Sequence, residues 1–323
     1  MRDTTRLLFV AGLGSTGSSA VCDLIAGYRR VFCPSQEWRI WVDPDGLVDL
    51  AHRLSFETSM FGQTTAIERF DRLVRRLVKP GFGPYSKLRL PDYVKEIYLR
   101  IAQDVHLKFD MESYRGLWYG NSNHLFAVAN FKIRRVAWKS NLITKRMWVA
   151  TMLERDDSLQ LIGDIVDNAL EGYLQQQDAD LFAVNENFSI LYADSILTMH
   201  PNAKIVVVLR DPLDVYADSL RVGWLAMPYE IDCFVRWQNT MHQQVVRAKD
   251  RWPDRIHVVE FESLCNNYEQ EVSALKAFIP GMLDDLEQQS FVPERSRKNI
   301  GQWKTWAPWL EKHRDRFTYI NDK

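Results

Sequence analysis

A glycine-rich loop near the start of the chain holds the first residues whose types and spacing suit phosphate chemistry. Between a strand and a helix, such a loop brings backbone N–H groups close to a phosphate at the positive end of the helix. The loop fits G-x-x-x-x-G followed by serine where a phosphate loop has lysine, and it also fits the dinucleotide fingerprint G-x-G-x-x-G. The candidate phosphate-binding residues are Gly12, Gly14, Ser15, Thr16, Gly17, Ser18 and Ser19.

The residues that follow the loop separate these two interpretations only in part. Glu37 lies twenty residues after Gly17, where a dinucleotide-binding enzyme places an acidic residue on a ribose hydroxyl. Residues 45–110, however, look mainly helical and show no third strand of a dinucleotide-binding half. An NAD(P)-dependent Rossmann oxidoreductase therefore stays open as an alternative function.

ATP or GTP hydrolysis is disfavoured by two other positions. Position 18 is serine, and the apolar strand predicted at Lys204–Leu209 is followed by Arg210, where a magnesium-binding aspartate would stand. An arginine at the end of this strand indicates that the site binds a second anionic group. A further basic cluster near the end of the chain contains Arg297 and Lys298. Together these residues predict a nucleotide with an anion at each end and transfer chemistry without a metal.

Three segments taken together resemble the sulfotransferases that use 3′-phosphoadenosine 5′-phosphosulfate (PAPS). The segment GLGSTGSS at 12–19 is similar to the family's 5′-phosphosulfate loop, and PNAKIVVVLRDPLDVYADS at 201–219 is similar to its 3′-phosphate strand and helix. The segment RKNIGQWK at 297–304 is similar to its closing basic loop, and 258–264 carries a weaker likeness. Residues 45–180 have no counterpart, as expected of an acceptor-specific insertion.

The resemblance implies a parallel α/β sheet related to P-loop kinases. It implies transfer of a sulfuryl group from PAPS to an acceptor hydroxyl, less readily to an amine, with no metal. Arg210, Ser219, Arg297 and Lys298 would hold the 3′-phosphate through charge-assisted hydrogen bonds. Phe261 would pack on the adenine, with ordinary core packing as an equal alternative.

The chain departs from the family's pattern at two positions of the nucleotide site. Ser15 stands where many members have lysine or arginine, and Lys132 or Lys139 is our hypothesis for the replacement. Asp218 stands eight residues after Arg210, where the family usually has serine, so we assign that role to the adjacent Ser219. These departures keep open a catalytically degenerate protein that only binds PAPS or its product PAP (3′-phosphoadenosine 5′-phosphate).

Glu37 is the candidate general base. It follows the second predicted strand at the mouth of the sheet, where ligands bind in open α/β folds, and several relatives use a glutamate at this place. A general base contributes about 10²–10⁴-fold to a rate. The alternative role of Glu37 is an ion pair with Arg39. His106 and His124 are the alternative bases.

Predicted strands alternate with predicted helices toward both ends of the sequence, and these elements must position the candidate residues. Apolar runs predict strands at 6–10, 30–32, 181–184, 204–209 and 256–261, with helices between them. Residues from about 45 to 180 are richer in helical patterns. We therefore expect one sulfotransferase domain over 1–323, with a P-loop-NTPase-like parallel sheet flanked by helices and a largely helical acceptor-side insertion.

Composition limits the partners that this chain can bind. The formal net charge of −1 over 323 residues does not favour nucleic acid. The four cysteines form no C-x-x-C pair, which indicates reduced thiols and no metal site. The first apolar run is too short for a membrane span, so we expect a cytoplasmic protein. No motif specifies the oligomeric state or the acceptor, for which a carbohydrate, a lipid headgroup and a small metabolite are all suitable.

Overall fold

The computed structural model describes residues 7–56, 58–79, 90–116, 145–223, 228–280 and 283–317. The described strands are β1 Leu7–Gly12, β2 Val31–Phe32, β3 Glu112–Gly116, β4 Lys145–Val149, β5 Leu181–Asn185, β6 Lys204–Leu209 and β7 Ile256–Glu260. The described helices are α1 Ser18–Ile25, α2 Leu47–Arg53, α3 Met60–Val78, α4 Asp92–Lys108, α5 Arg155–Gln176, α6 Ala193–Met199, α7 Pro212–Val222, α8 Ile231–Arg251, α9 Phe261–Asn266, α10 Tyr268–Phe278, α11 Pro293–Ser296 and α12 Trp303–Trp306. Short 3₁₀ turns occur at Ser189–Tyr192, Arg297–Asn299 and Pro308–Arg316.

The chain divides into two compact units. Unit 1 comprises Met1–Val42 with Leu170–Lys323, and unit 2 comprises Asp43–Ala169. The expectation of one domain with an insertion from about 45 to 180 stays a prediction. None of the described helices combines the length and the apolar composition needed to cross a membrane.

The central sheet of unit 1 has the strand order β2-β5-β1-β6-β7. Every pairing in it is parallel: β1 pairs with β5 on one side and β6 on the other, β2 pairs with β5, and β7 pairs with β6. All six residues of β1 are buried, and such near-continuous apolar strands are typical of a parallel sheet covered on both faces. The expected α/β class, with a parallel sheet flanked by helices, is confirmed.

The strand order also bears on the dinucleotide interpretation. In a dinucleotide-binding half, the first two strands of the chain are neighbours in the sheet. Here β5 lies between β1 and β2. Both strands that pair with β1, β5 and β6, thus follow unit 2 in the sequence. This strand order is not that of an NAD(P)-binding Rossmann sheet.

Alternate residues of β1 pack on opposite faces of the sheet. Leu8 and Val10 belong to a buried cluster with side chains of α1 and α10. Phe9 faces the other way and meets the Trp41 ring edge-on, with 5.2 Å between the centroids. The indole Nε1 of Trp41 donates to His200 Nε2 at 3.1 Å. Trp41 is thereby a core residue of the segment that carries Glu37.

The described part of unit 2 contains the helices α2, α3 and α4 and also an antiparallel strand pair that the sequence did not predict. Strand β3 pairs with β4, and Thr64 of α3 donates its hydroxyl to Trp148 O of β4 at 2.9 Å. The residues of β3, Glu-Ser-Tyr-Arg-Gly, are mostly exposed. Such a strand has no apolar run or apolar alternation from which to recognise it. Lys132 and Lys139 lie outside the described residues.

The helical segment between β5 and β6 begins irregularly. It is a 3₁₀ turn over Ser189–Tyr192 followed by α6. Phe188, just before this turn, has a φ of 66° and donates its N–H to Gly12 O at 2.8 Å. The irregular start therefore ties the segment after β5 to the end of β1.

Candidate active site

The carboxyl ends of the parallel strands bring the predicted residues of unit 1 to one edge of the sheet. The glycine loop follows β1, Asn185 ends β5, Arg210 follows β6, and Phe261 follows the end of β7. In open parallel sheets this edge is where ligands bind. The two features that the sequence interpretation requires, a phosphate loop and a nearby cation, thus lie at the same edge.

The loop between β1 and α1 has the backbone conformation that its glycines allow. Gly14 and Gly17 have φ angles of 83° and 96°, in the left-handed region that favours glycine, and Ser15 between them has a φ of 52°. The amide of Leu13 donates to the Thr16 hydroxyl at 3.3 Å, which closes the loop on itself. Helix α1 then begins with no side-chain cap and no acidic residue in its first turn, so its N-terminal amides stay available to an anion.

Two of the glycines are also needed because of their neighbours. A Cβ on Gly17 would lie 2.5 Å from the Phe261 ring, and a Cβ on Gly12 would lie 2.7 Å from Asn187 Oδ1. Phe261 itself is 4% exposed. It belongs to the buried hydrophobic cluster of β1 and α1 as well as lying against Gly17, so the core packing considered as the alternative is present, and the packing on adenine stays a prediction.

Glu37 is held beside the loop by the end of β5. It forms an isolated parallel bridge with Asn185, and the next amide, of Trp38, donates to Asn185 O at 3.1 Å. Asn187 Nδ2 donates to Glu37 Oε1, and Ser18 of the loop helix donates its hydroxyl to Asn187 Oδ1 at 3.3 Å. A chain of hydrogen bonds thus runs from the candidate base to the candidate phosphate loop.

The second oxygen of Glu37 pairs with an arginine. Arg39 Nη1 donates to Glu37 Oε2 at 2.9 Å, so the ion pair considered as the alternative role is present. Buried Glu186 accepts the backbone amides of Arg39 at 2.6 Å and Val42 at 3.2 Å. These bonds shape the turn, in which Arg39 has a φ of 62°. The side chain of Glu37 keeps 34% of its surface exposed and can still be reached by a substrate.

Arg210 connects the loop to the C-terminal basic segment. Its Nη1 donates to Ser15 O at 2.9 Å and its Nη2 donates to Asn299 O at 2.7 Å. The guanidinium is 5.4 Å from the centre of the Phe261 ring, and the residue is 8% exposed. Its acidic neighbour is Asp218, at 3.7 Å.

A cleft of about 320 Å³ opens between the loop and α7. Its lining residues are Ser15, Gly17, Ser19, Ala20, Asp23, Arg210, Asp218, Arg221, Phe261, Ser296 and Asn299. Arg221 Nη2 donates to Asp218 Oδ1 at 2.6 Å. The cleft therefore joins predicted phosphate-loop residues to two arginines and to the aspartate that replaces the family's serine.

The other residues predicted for the second phosphate do not line this cleft. Ser219 is buried and donates its hydroxyl to Val215 O at 2.8 Å. Arg297 donates to Cys265 O through Nη2 at 2.8 Å and Nε at 3.2 Å. Lys298 is exposed. Their roles in nucleotide binding stay predictions.

A buried aspartate on α7, which the sequence did not single out, anchors the C-terminal basic segment. Asp214 is 0% exposed and accepts the amides of Gly301 at 2.7 Å and Trp303 at 3.0 Å. Gly301 has a φ of 71°, which glycine adopts without strain. Asp214, Asn187 and Glu186 were missed because nothing in their local pattern names a distant partner. The one available signal was that Glu186 and Asn187 directly follow a predicted strand.

Two carboxyl groups near the cleft, those of Glu262 and Asp211, have raised pKa values. Burial raises the pKa of Glu262, although its bond from the Asp211 amide at 3.0 Å opposes the shift. Burial likewise raises the pKa of Asp211, which caps α7 by accepting the Leu213 amide at 2.9 Å. Ionised carboxylates are costly to bury, so this pair makes the region sensitive to pH.

Two further predictions concern the alternative general bases, His106 and His124, and the absence of a metal site. His106 of unit 2 has its Nε2 2.9 Å from Asp71 Oδ1. His124 lies outside the described residues. In the part of the chain that the structure describes, no three His, Cys, Asp or Glu side chains are grouped as metal ligands. The expectation of metal-free chemistry stays a prediction.

Comparison with known proteins supplies independent findings. A family model described as "Sulfotransferase family" matches residues 100–283, more than half of the chain. No curated protein matches this chain. The solved sulfotransferase domain from the Synechococcus PCC 7002 olefin synthase is 13% identical, with a TM-score of 0.42, and the match covers 99% of this chain and 90% of that one.

Two further solved structures are similarly distant. The sulfotransferase domain from the curacin biosynthetic pathway is 14% identical with a TM-score of 0.41, and the match covers 94% of this chain and 91% of that one. Sulfotransferase STF9 from Mycobacterium avium is 12% identical with a TM-score of 0.39, covering 99% of this chain and 74% of that one. At these values no residue role is transferred from them.

Proposed function

Because this chain belongs to the sulfotransferase family, we propose that it transfers a sulfuryl group from PAPS to an acceptor hydroxyl, with Glu37 as general base. The observation that carries the proposal is the chain of hydrogen bonds from Glu37 through Asn187 to Ser18. It links a half-exposed carboxylate to the glycine loop. A base and an anion-binding loop in one network are what transfer to a hydroxyl requires.

The loop supports binding of an anion without the missing lysine. Positive φ angles at Gly14, Ser15 and Gly17 turn the backbone, and the first turn of α1 has no side-chain cap. Backbone amides at the positive end of a helix stabilise a single phosphate group. The exposed Ser19 at the cleft adds a hydroxyl donor. We propose that these groups hold the 5′-phosphosulfate.

Glu37 retains the capacity to take a proton. Each carboxylate oxygen can accept two hydrogen bonds, and the described partners of Glu37, Asn187 on Oε1 and Arg39 on Oε2, leave room for an acceptor hydroxyl. Asn187 and Arg39 restrict the rotation of the carboxylate. The hydroxyl proton would pass to Glu37 as the acceptor oxygen forms its bond to sulfur and the bond from sulfur to the phosphate oxygen breaks.

The cleft has features that fit the nucleotide of PAPS, which supplies the activated sulfuryl group when bound. Arg210 Nε is buried and has no hydrogen-bond partner among the described residues. The Phe261 ring and Arg210 both line the cleft, next to Gly17 and Ser15, whereas Glu37 does not line it. We propose that the adenosine end occupies this cleft, with Ser219, Arg297 and Lys298 as the predicted additional contacts.

The acceptor is proposed only by class. A carbohydrate, a lipid headgroup or a small metabolite supplies the hydroxyl that Glu37 would deprotonate. The cytoplasmic location also stays a prediction. A degenerate protein that only binds PAP differs from the proposed enzyme in one property, because it would bind the nucleotide without transferring sulfate.

The first test is thermal stabilisation by PAP, NAD and ATP with magnesium, each at saturation. A ligand that binds only the folded state adds about 2.7 kcal/mol of stability at a hundredfold excess over Kd. We expect PAP alone to raise the unfolding temperature. No shift with PAP, or a shift with NAD, would contradict the proposal. Transfer of a radiolabelled sulfuryl group from PAPS to a panel of hydroxyl acceptors then separates the enzyme from the degenerate binder.

A further inference from the structure

We propose that Arg221, held in place by Asp218, is the residue that binds the second phosphate of the nucleotide in this cleft. The inference rests on the proposed function, since it concerns the 3′-phosphate of the same donor. It assigns a binding role to Arg221 and a positioning role to Asp218, neither of which the sequence resemblance gave.

Two of the predicted phosphate-binding arginines already donate to backbone carbonyls. Arg210 donates to Ser15 O and Asn299 O, at 2.9 and 2.7 Å. Arg297 donates through Nη2 and Nε to Cys265 O, at 2.8 and 3.2 Å. These bonds fix the loop and the C-terminal segment. Each of these two arginines therefore already uses two of its five N–H donors within the chain.

Arg221 differs from Arg297 because it lines the cleft, and from Arg210 because, in the described part of the chain, its Nη1 is not used in a bond to the backbone. It lines the cleft, and 46% of its side chain is exposed. Its Nε and Nη2 donate to Asp218 Oδ1, at 3.3 and 2.6 Å. Within the described residues its Nη1 has no hydrogen-bond partner. A guanidinium held along one edge loses less conformational freedom when its other edge binds an anion.

The same arrangement explains how an aspartate can stand in a phosphate site. Asp218 Oδ1 lies 2.6 Å from Arg221 Nη2, and Oδ2 lies 3.7 Å from Arg210 Nη1. Two positive neighbours offset the repulsion between this carboxylate and a phosphate. The serine that the family usually has would contact phosphate directly, whereas Asp218 orients an arginine one helical turn further along α7.

The test compares two nucleotides that differ only in the 3′-phosphate, PAP and 5′-AMP, by isothermal titration calorimetry. Loss of a charge-assisted phosphate contact in Arg221→Gln is expected to weaken PAP binding roughly 10- to 100-fold. Binding of 5′-AMP is expected to stay unchanged. Arg221→Lys, which keeps the charge, should recover part of the loss. The matched control Arg236→Gln removes an exposed arginine of α8 and should leave both affinities unchanged.

A second variant tests the positioning role of Asp218. In the Arg221→Gln background, Asp218 is a carboxylate that has lost its nearest positive neighbour and faces the phosphate. Adding Asp218→Asn to that background should therefore raise PAP affinity again and leave 5′-AMP affinity unchanged. A purely structural aspartate would give no such rescue.

Three outcomes would overturn the inference. Unchanged PAP binding by Arg221→Gln would do so while leaving the proposed function intact, provided that the natural chain binds PAP. An equal loss of PAP and 5′-AMP binding would show a general effect on the cleft. Failure of the natural chain to bind PAP at all would overturn both the inference and the proposed function.

Discussion

Two acid–arginine pairs lie near the glycine loop, and they are built in different ways. Glu37 pairs with Arg39 at 2.9 Å, and Asp218 pairs with Arg221 at 2.6 Å. Glu37 is also bound by Asn187, a residue 150 positions away, through the end of β5. The Asp218–Arg221 pair lies within one helix at i,i+3 spacing.

The difference indicates what each pair contributes. The position of Glu37 is set by strand ends and by the buried Glu186 beneath the turn, so it is fixed before any ligand binds. In the second pair Arg221 is 46% exposed and Asp218 18%, and a partly exposed pair within one helix contributes about 0–1 kcal/mol to stability. We expect the first pair to govern turnover and the second to govern affinity for the nucleotide.

The largest expected effect separates catalysis from binding at Glu37. Glu37→Gln keeps the side chain's size and one acceptor oxygen, so it retains one of the bonds from Asn187 and Arg39, but it cannot accept the acceptor proton. Turnover should fall about 10²–10⁴-fold, while the Kd for PAP changes little. The measurement is radiolabelled transfer from PAPS to the best acceptor, with PAP binding by calorimetry. Glu294→Gln, at an exposed glutamate of α11, is the control; a near-normal rate for Glu37→Gln would exclude it as the base.

The next effect contrasts two aspartates of α7, four positions apart. Asp214→Ala leaves the amides of Gly301 and Trp303 without their acceptor, and unpaired buried groups should lower the free energy of unfolding by about 2–4 kcal/mol. Asp218→Asn, at the half-exposed pair, should lower it by less than about 1 kcal/mol. Denaturant unfolding measures both. Equal losses would mean that the two carboxylates do not differ as the structure indicates.

The smallest expected effect is a pH dependence behind the cleft. Burial raises the pKa of Glu262 in the folded chain. Its contribution to stability is therefore greatest below the ordinary glutamate pKa and is lost as pH rises through the raised value. Glu262→Gln still accepts the Asp211 amide but carries no charge. The variant should gain stability over the natural chain above the raised pKa, and the gain should disappear near pH 4.5. A difference that does not change with pH would contradict this assignment.

Hydrophobic periodicity in the sequence predicted helices and strands. It did not predict the hydrogen-bond partners, because these depend on tertiary structure. Strand β6 has the predicted bounds, and Arg210 and the glycine loop lie at the same sheet edge because parallel strands end there. The hydrogen bonds that Arg210 donates to two backbone carbonyls could not be predicted from the sequence. Which carbonyl an arginine meets depends on the docking of segments far apart in the chain. Strand β3, exposed and without an apolar pattern, left no signal.

The two carbonyl bonds of Arg210 have a consequence for synthesis of the chain. They join Ser15 to Asn299 through one guanidinium, across 195 and 89 positions of sequence. A ribosome adds about 5–20 residues per second. Synthesis of Asn299 therefore follows that of Ser15 by on the order of 15–60 s, and the second bond of Arg210 forms only after that interval. During that interval the nascent chain has its glycine loop without the arginine bridge. The nucleotide site is thus completed only when the C-terminal segment has emerged and docked.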